Sequence, residues 1–391
     1  MIAVAKWYNN FQAPAVLMID DLSDAYIEVY KQSYKNDWGY MCNEKGSSFD
    51  FLRKELLEAF PHIRITFFVP YLKHNVINEN TTFHYKKFSL GERQEYAEFL
   101  SFLVKEGHEI AHHGSDHGQY IDATIQETAH NWIHEWALFD NVETGVKVAK
   151  KGIDAFKKYC DIDISGGKYC GYTSIDNSEE IIDRCDFLYW CVKPSYTIKE
   201  YKEAFFGNNR IVSFPTNFAG NSFNRLVYLS GNNKRDNIKK ITKYFQPLYN
   251  LYSYYQLYKL YKQGNIISVQ EHNSPSTSYG TVQSANIITD IKSLKKIFKF
   301  LRFFSIWYAT CEEIATYIYV RENADITIRK DMLSIYFNNR KKIKRPVLSL
   351  ISKQAFTLTQ ESSEISSCLN NSLYVANILL QDGKNTFKIK V

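Results

Sequence analysis

Asp20-Asp21 and the stretch Gly107-His108-Glu109-Ile110-Ala111-His112-His113-Gly114-Ser115-Asp116-His117-Gly118 are the residues whose types and spacing could do chemistry. Two adjacent carboxylates repel unless a cation holds one of them or one keeps a proton. Taken alone the pair also suits a solvated turn. The second stretch gathers four of the ten histidines within ten residues. His113 and His117, four apart, can turn both imidazoles onto one ion from a helical turn or a tight loop. With one carboxylate added, they suit Zn2+ or a similar divalent ion and leave a coordination position open for water. A cluster this dense is seldom purely structural.

Two further signals are weaker. Ile267-Ser268-Val269-Gln270-Glu271-His272-Asn273 reads as a late strand ending in a histidine. That places an acid-base group at a strand end, although most lone histidines are structural. His130 and His134 are also four apart, on a stretch that reads as helix. The run His130-Asn131-Trp132-Ile133-His134 lacks the glutamate beside the first histidine that a zinc-protease helix needs. A packed or surface helix face accounts for it.

The elements that must position these residues follow from periodicity. Ala15-Val16-Leu17-Met18-Ile19 is a continuous apolar run stopping at Asp20, as a strand buried on both faces of a parallel sheet requires. Helix is expected over 48–60, a strand over Ile63–Val69, helix over 91–106, and a short strand over Gly107–Ala111. A long helix over roughly 123–158 follows, then a strand ending near Gly167, helix over 178–185 and a strand over Phe187–Val192. A strand near Arg210–Phe214, a Tyr-rich helix over about 235–262 and the strand Asn265–Gln270 come next. A basic helix over 286–303 and the strand Ser305–Ala309 close the series. Alternation of this kind calls for a parallel α/β fold, open or barrel, with its site at the C-terminal strand ends. After about residue 325 short runs split by polar turns, among them Leu333–Phe337 and Val347–Ile351, indicate a small antiparallel β module over 326–391. Its basic stretch Arg340–Arg345 reads as a solvated loop, with phosphate or membrane contact the alternative.

Composition bounds the function classes. The chain has 391 residues, 45% of them apolar and 23% charged, which suits a folded globular protein and excludes disorder. The formal charge of +6 is compatible with anionic partners and demands none. Its basic residues show no nucleic-acid reading motif, so no nucleic acid partner is expected. The seven cysteines form no Cys-x-x-Cys pair and read as reduced thiols. With no transmembrane run and no signal-like start, a cytoplasmic location is expected, or an extracellular one if a leader was removed. The many Tyr and Phe residues reflect compositional bias more readily than a sugar-stacking surface.

Taken together, the motifs resemble the polysaccharide deacetylase family over residues 15–310. Met18-Ile19-Asp20-Asp21 is similar to its Thr-Phe-Asp-Asp motif, and Ile65-Thr66-Phe67-Phe68-Val69 to its Ala-Thr-Phe-Phe-Val strand. Gly107 through Gly118 is similar to its Gly-His-Glu-Ile-Gly-Asn-His-Thr-x-x-His-Pro stretch, and Glu271-His272, loosely, to its Leu-His motif. The resemblance implies a distorted (β/α) barrel, residues 1–325, that removes acetyl groups from sugars. It further implies Asp21, His113 and His117 as ligands of a divalent metal, Zn2+ first and Co2+, Ni2+ or Mn2+ as alternatives. Asp20 would be general base and His272 general acid. Gly167-Lys168-Tyr169-Cys170-Gly171-Tyr172 stands where the family has Arg-x-Pro-Tyr, so Lys168 would neighbour the catalytic carboxylate, though it lacks the guanidinium fork. Tyr169 and Trp190 would complete the substrate-binding set. Asp116 or Glu109 would orient the ligand histidines.

The implied partner is an acetylated sugar or oligosaccharide, or a nucleotide- or lipid-linked sugar; a homo-oligomer is an open expectation. Three alternatives stand beside this reading. They are hydrolysis of another C–N bond, a non-catalytic carbohydrate-binding barrel, and a peripheral membrane protein using the basic helix at 286–303.

Overall fold

Every residue of the strand Ala13–Asp20 (β1) is buried, as its unbroken apolar run requires. A computed structural model of the chain describes residues 2–22, 47–76, 84–87, 89–120, 132–192, 205–224, 236–273, 286–361 and 363–391. In it β1 is joined by Ile65–Val69 (β2), Glu109–His112 (β3), Gly166–Lys168 (β4), Tyr189–Cys191 (β5), Ile211–Ser213 (β6), Ile267–His272 (β7) and Ile306–Tyr308 (β8). The parallel order is β6-β5-β4-β3-β2-β1-β7, with β8 beside the first residues of β1. The strands thus follow the chain around and return to β1 through β7, the order of a (β/α) barrel. Beyond β7 lies the short parallel strand Phe218–Ala219, and among the described residues no ladder joins it to β6. The sheet is a curled, distorted barrel left open at that seam.

Parallel neighbours need crossovers, and helices supply most of them. These are Ser48–Leu52 (α1), which runs into a π-helical turn at Arg53–Leu57, Gln94–Lys105 (α2), Val142–Cys160 (α3), Ser178–Arg184 (α4), Asp236–Lys262 (α5) and Ile287–Leu301 (α6); Cys311–Glu322 (α7) follows β8. Side chains alternate along β1. Leu17 and Ile19 pack in a core that includes Leu52, Leu100 and Leu294, while Val16 and Met18 join a second core with Phe68, Ala111 and Ile314. Asp20, two residues beyond Met18, therefore faces the barrel interior.

Helix α7 closes the barrel end opposite the C-terminal strand ends. The Cys311 N–H donates to Thr66 Oγ1 at 2.9 Å and the Glu312 N–H to Glu109 Oε2 at 3.0 Å. The Glu109 carboxyl also accepts the Tyr189 hydroxyl at 2.7 Å, and burial, then Glu312, raise its pKa to about 8. It begins β3, whereas His112 ends it. The expectation that Glu109 orients a ligand histidine is therefore corrected.

Besides two two-stranded sheets, Lys73–Val76 with His84–Lys87 and Gly118–Tyr120 with Trp132–His134, the described residues form two larger antiparallel sheets beside the barrel. One is ordered Ala324–Arg329, Met332–Phe337, Gly383–Lys390, Thr357–Gln360, Ser363–Ser366; the other is Ala3–Val4, Val347–Ser352, Leu373–Leu379, Cys368–Asn370. The start of the chain thus pairs with the C-terminal strands. Leu333, Ile335, Phe337, Leu350 and Ile378 belong to the same buried cluster as α7.

Three details depart from the sequence reading. The helix expected over 123–158 begins only at Val142, where Asn141 Oδ1 caps it by accepting the Thr144 N–H at 3.0 Å. Trp132–His134 is instead a strand paired with Gly118–Tyr120, and His130 lies outside the described residues. On α6, Leu294, Ile297, Phe298 and Leu301 are buried core, so the basic helix is a barrel layer and offers no apolar face to a membrane. No helix among the described residues is long and apolar enough to cross a membrane. Six cysteines are free thiols among the described residues, and Cys42 lies outside them.

Candidate metal centre

β1 and β3 end side by side with β2 between them, and the chain turns sharply after each. Asp21 has φ +66 and donates its N–H to the Phe68 carbonyl at 3.1 Å; an aspartate tolerates this left-handed conformation better than most residues. The loop after β3 returns through Gly114 at φ +77 and His117 at φ +72. His113 Nε2 then lies 3.4 Å from Asp21 Oδ1, and His117 Nε2 lies 3.1 Å from the same oxygen. All three side chains are buried.

The proton positions make this contact informative. His113 Nδ1 lies 3.0 Å from the Lys168 carbonyl, which can only accept, so Nδ1 carries a proton and Nε2 is the nitrogen turned to Asp21. Among the described residues neither Asp21 oxygen has a hydrogen-bond partner. A buried carboxylate left without a donor is costly, and a cation beside it removes the cost. Bonds of about 2.0–2.1 Å at tetrahedral angles put neighbouring ligand atoms roughly 3.3 Å apart, close to both measured separations. Both separations from Asp21 thus suit a shared divalent metal.

A fourth donor was not read from the sequence. Cys170 is buried, and its thiol lies with one ring nitrogen each of His113 and His117 inside a 4.8 Å group that could hold a metal. Its Sγ–H donates to the His113 carbonyl at 3.1 Å. A lone cysteine is ordinarily core, and only the loop after β4 brings it here.

Around the ligands, Lys168 is fully buried and its Nζ lies 2.6 Å from Asp20 Oδ1; Gln270 Nε2 donates to Asp20 Oδ2 at 3.0 Å. Burial would raise the Asp20 carboxyl, but the Lys168 ammonium, helped by His113 and His272, overrides it and holds it below its ordinary value. Burial likewise opposes the Lys168 charge, and Asp20 more than restores it. His272 is the register partner of Asp20 on the neighbouring strand and shares a face with Gln270. The structure thus gathers Asp20, Asp21, His113, His117, Lys168 and His272 at one rim.

Tyr169 and Trp190 go elsewhere. Trp190 is wholly buried, with rings of Phe187 at 4.9 Å, Trp136 at 5.2 Å and Tyr169 at 5.5 Å. The Tyr169 hydroxyl pairs with Ser178 Oγ at 2.9 Å. Both are an aromatic core behind the loop, without the exposed surface expected of substrate-binding residues.

The histidine density is also partly structural. His108 Nδ1 meets the Ile65 N–H at 3.4 Å, and burial, then Arg64, push its pKa down to about 4. His112 Nδ1 accepts the Gly114 N–H at 3.1 Å, and burial, then His113, push it down to about 3. His134 sits on its strand with its ring edge-on to His117, centroids 5.2 Å apart. Glu135 Oε2 accepts the N–H groups of Ser115 at 2.6 Å and Asp116 at 3.0 Å, fixing the loop between the two ligand histidines. A Cβ on Gly114 would lie 2.6 Å from that same oxygen and 2.9 Å from Cys170 Sγ.

No protein-family model and no curated protein matches this chain. Among solved structures it is similar to one assigned as a polysaccharide deacetylase from Mycobacterium smegmatis, with 14% identity, 84% of this chain and 97% of that one covered, and a TM-score of 0.46. An allantoinase is 15% identical over 80% of this chain and 92% of its own, with a TM-score of 0.42. A CE4 family pseudoenzyme from Bacillus anthracis is 9% identical over 79% of this chain and 66% of its own, with a TM-score of 0.35. The match is to the polysaccharide deacetylase fold at low sequence identity.

Proposed function

We propose that the chain is a divalent-metal-dependent hydrolase that removes an acetyl group from an N-acetylated or O-acetylated sugar. One observation supports this reading: among the described residues the buried Asp21 carboxylate has no hydrogen-bond donor, and it faces Nε2 of both His113 and His117. Asp21, His113 and His117 hold the metal, Zn2+ as first choice, with Co2+, Ni2+ or Mn2+ as alternatives. A divalent cation there polarises the acetyl carbonyl and makes a water nucleophilic near neutral pH.

The remaining work falls to the chain. Lys168 and Gln270 hold the Asp20 carboxylate ionised and oriented, ready to accept a proton from the attacking water. Water adds to the carbonyl carbon, the carbon–nitrogen bond breaks, and protonated His272 supplies the proton that the leaving amine requires. Acetate and a free amino sugar result. A nucleotide-linked or lipid-linked sugar is the substrate form that suits a site of this kind away from finished cell wall.

Metal analysis together with acetate release from N-acetylated sugar oligomers tests the reading. Wild type should carry about one divalent ion per chain, and His113→Ala should lose both metal and activity. Asp20→Asn should keep the metal and lose roughly 10²–10⁴ in rate. Metal content unchanged in His113→Ala would sink the proposal. A second reading, a non-catalytic sugar-binding barrel, draws on the engagement of both Asp20 oxygens; retained metal with no acetate from any acetylated sugar would favour it.

A further inference from the structure

Helix α5 is apolar on two faces, and among the described residues only one is covered. Ser253, Leu257 and Leu260 are buried, and Tyr254 packs on Phe223 and Phe300 at centroid distances of 4.5 and 4.9 Å. On the other side Tyr244, Leu248, Leu251 and Tyr255 are 82%, 63%, 67% and 57% exposed, with Tyr252 and Tyr258 beside them. Their spacing keeps them on one stripe of the helix. From Tyr244 to Lys262 the stripe is roughly 27 Å long, at about 1.5 Å per residue. A patch of that size marks an interaction surface.

Charge selects the occupant. From Asn237 to Gln270 the sequence has no Asp or Glu and five lysines, Lys239, Lys240, Lys243, Lys259 and Lys262. Lys262 lies over the ring of Tyr258, 5.6 Å from its centroid. Beyond it Phe304 packs on Tyr258 and Tyr261, and its neighbour Phe303 is 74% exposed. Tyrosine rings, apolar with a polar tip, belong at the headgroup level of a bilayer, and a helix whose sequence is rich in lysine draws anionic lipid.

We propose that this face of α5 lies on the surface of an anionic lipid bilayer, as a peripheral contact independent of the metal centre. Flotation of the full chain with vesicles tests it. Wild type should float with phosphatidylcholine–phosphatidylglycerol vesicles and bind roughly tenfold less to phosphatidylcholine alone. The variant Tyr244→Ser/Leu248→Ser/Leu251→Ser/Tyr255→Ser changes only exposed positions; it should melt like wild type and lose about tenfold or more in binding. Equal flotation with both vesicle types, or undiminished flotation of the variant, overturns the proposal. So does a wild-type dimer in solution that the variant abolishes without any vesicle binding, since a second copy would then be the occupant.

Discussion

Asp20 and Asp21 are chain neighbours in opposite circumstances. The strand holds Asp20 against an ammonium and an amide, while the left-handed backbone at Asp21 swings the next carboxylate to two imidazole nitrogens. Lys168 makes the first arrangement possible. Removing one partner of a buried ion pair strands the other charge, so Lys168→Met should cost about 3–5 kcal/mol in urea unfolding of metal-free protein. Lys168→Met/Asp20→Asn should recover much of that loss, and a double variant no more stable than the single one would contradict the pairing. Glu271 supplies a pH signature. It is fully buried; burial, then Asp290, raise its carboxyl well above the ordinary value, against a hydrogen bond from the His272 backbone. The native state therefore keeps a proton that the unfolded chain has released above about pH 4.3, and stability falls as pH rises through that window. Glu271→Gln removes this slope, so its stability relative to wild type should grow by about 1.4 kcal/mol per pH unit from about pH 5 up to the folded pKa. Parallel stability–pH curves would refute it. At this scale the convergence of Asp21, His113 and His117 was legible because their motifs stand at the ends of neighbouring strands. Cys170 was not, because a thiol looks like core until the fold brings it to a histidine, and Tyr169 and Trp190 were misplaced because an aromatic near a strand end fills a core as readily as a pocket.

Among the elements, the loop after β3 depends on a residue outside it. Glu135 gathers two N–H groups of that loop, and Gly114 leaves the room it occupies. Glu135→Ala should free the loop and weaken metal affinity roughly tenfold or more while leaving every ligand in place, as titration with a chelator would register. Gly114→Ala adds a left-handed penalty of about 1–2 kcal/mol to a direct clash, so it should lower both melting temperature and metal content. Unaltered metal affinity in Glu135→Ala would show that the loop holds itself. Most barrel strands were legible one by one, since runs such as β1 and β2 are largely apolar; their order was not, because an open sheet suited the same alternation. Trp132–His134 was not, because its pairing with Gly118–Tyr120 is set by that loop, while apolar spacing alone suggested that α3 started earlier.

For the whole molecule, the decisive fact is where the second core lies. Met18 and Phe68 from the barrel interior, Ile314 and Ile318 from α7, and Leu333, Ile335 and Phe337 from the C-terminal sheets form one buried cluster. The opening strand Ala3–Val4 pairs into a C-terminal sheet, tying the start of the chain to its end. The change of character near residue 325 was visible in the sequence; that the module floors the barrel was not, because tertiary contact leaves no periodicity. A shared core predicts one cooperative unit. The full chain should unfold in a single transition, with calorimetric and van't Hoff enthalpies in agreement. Phe337→Ala, in the module, should lower that transition by about 3–5 kcal/mol as a whole. If the C-terminal sheets instead melted first while the bound metal stayed, two separable domains would replace the single body argued from the core.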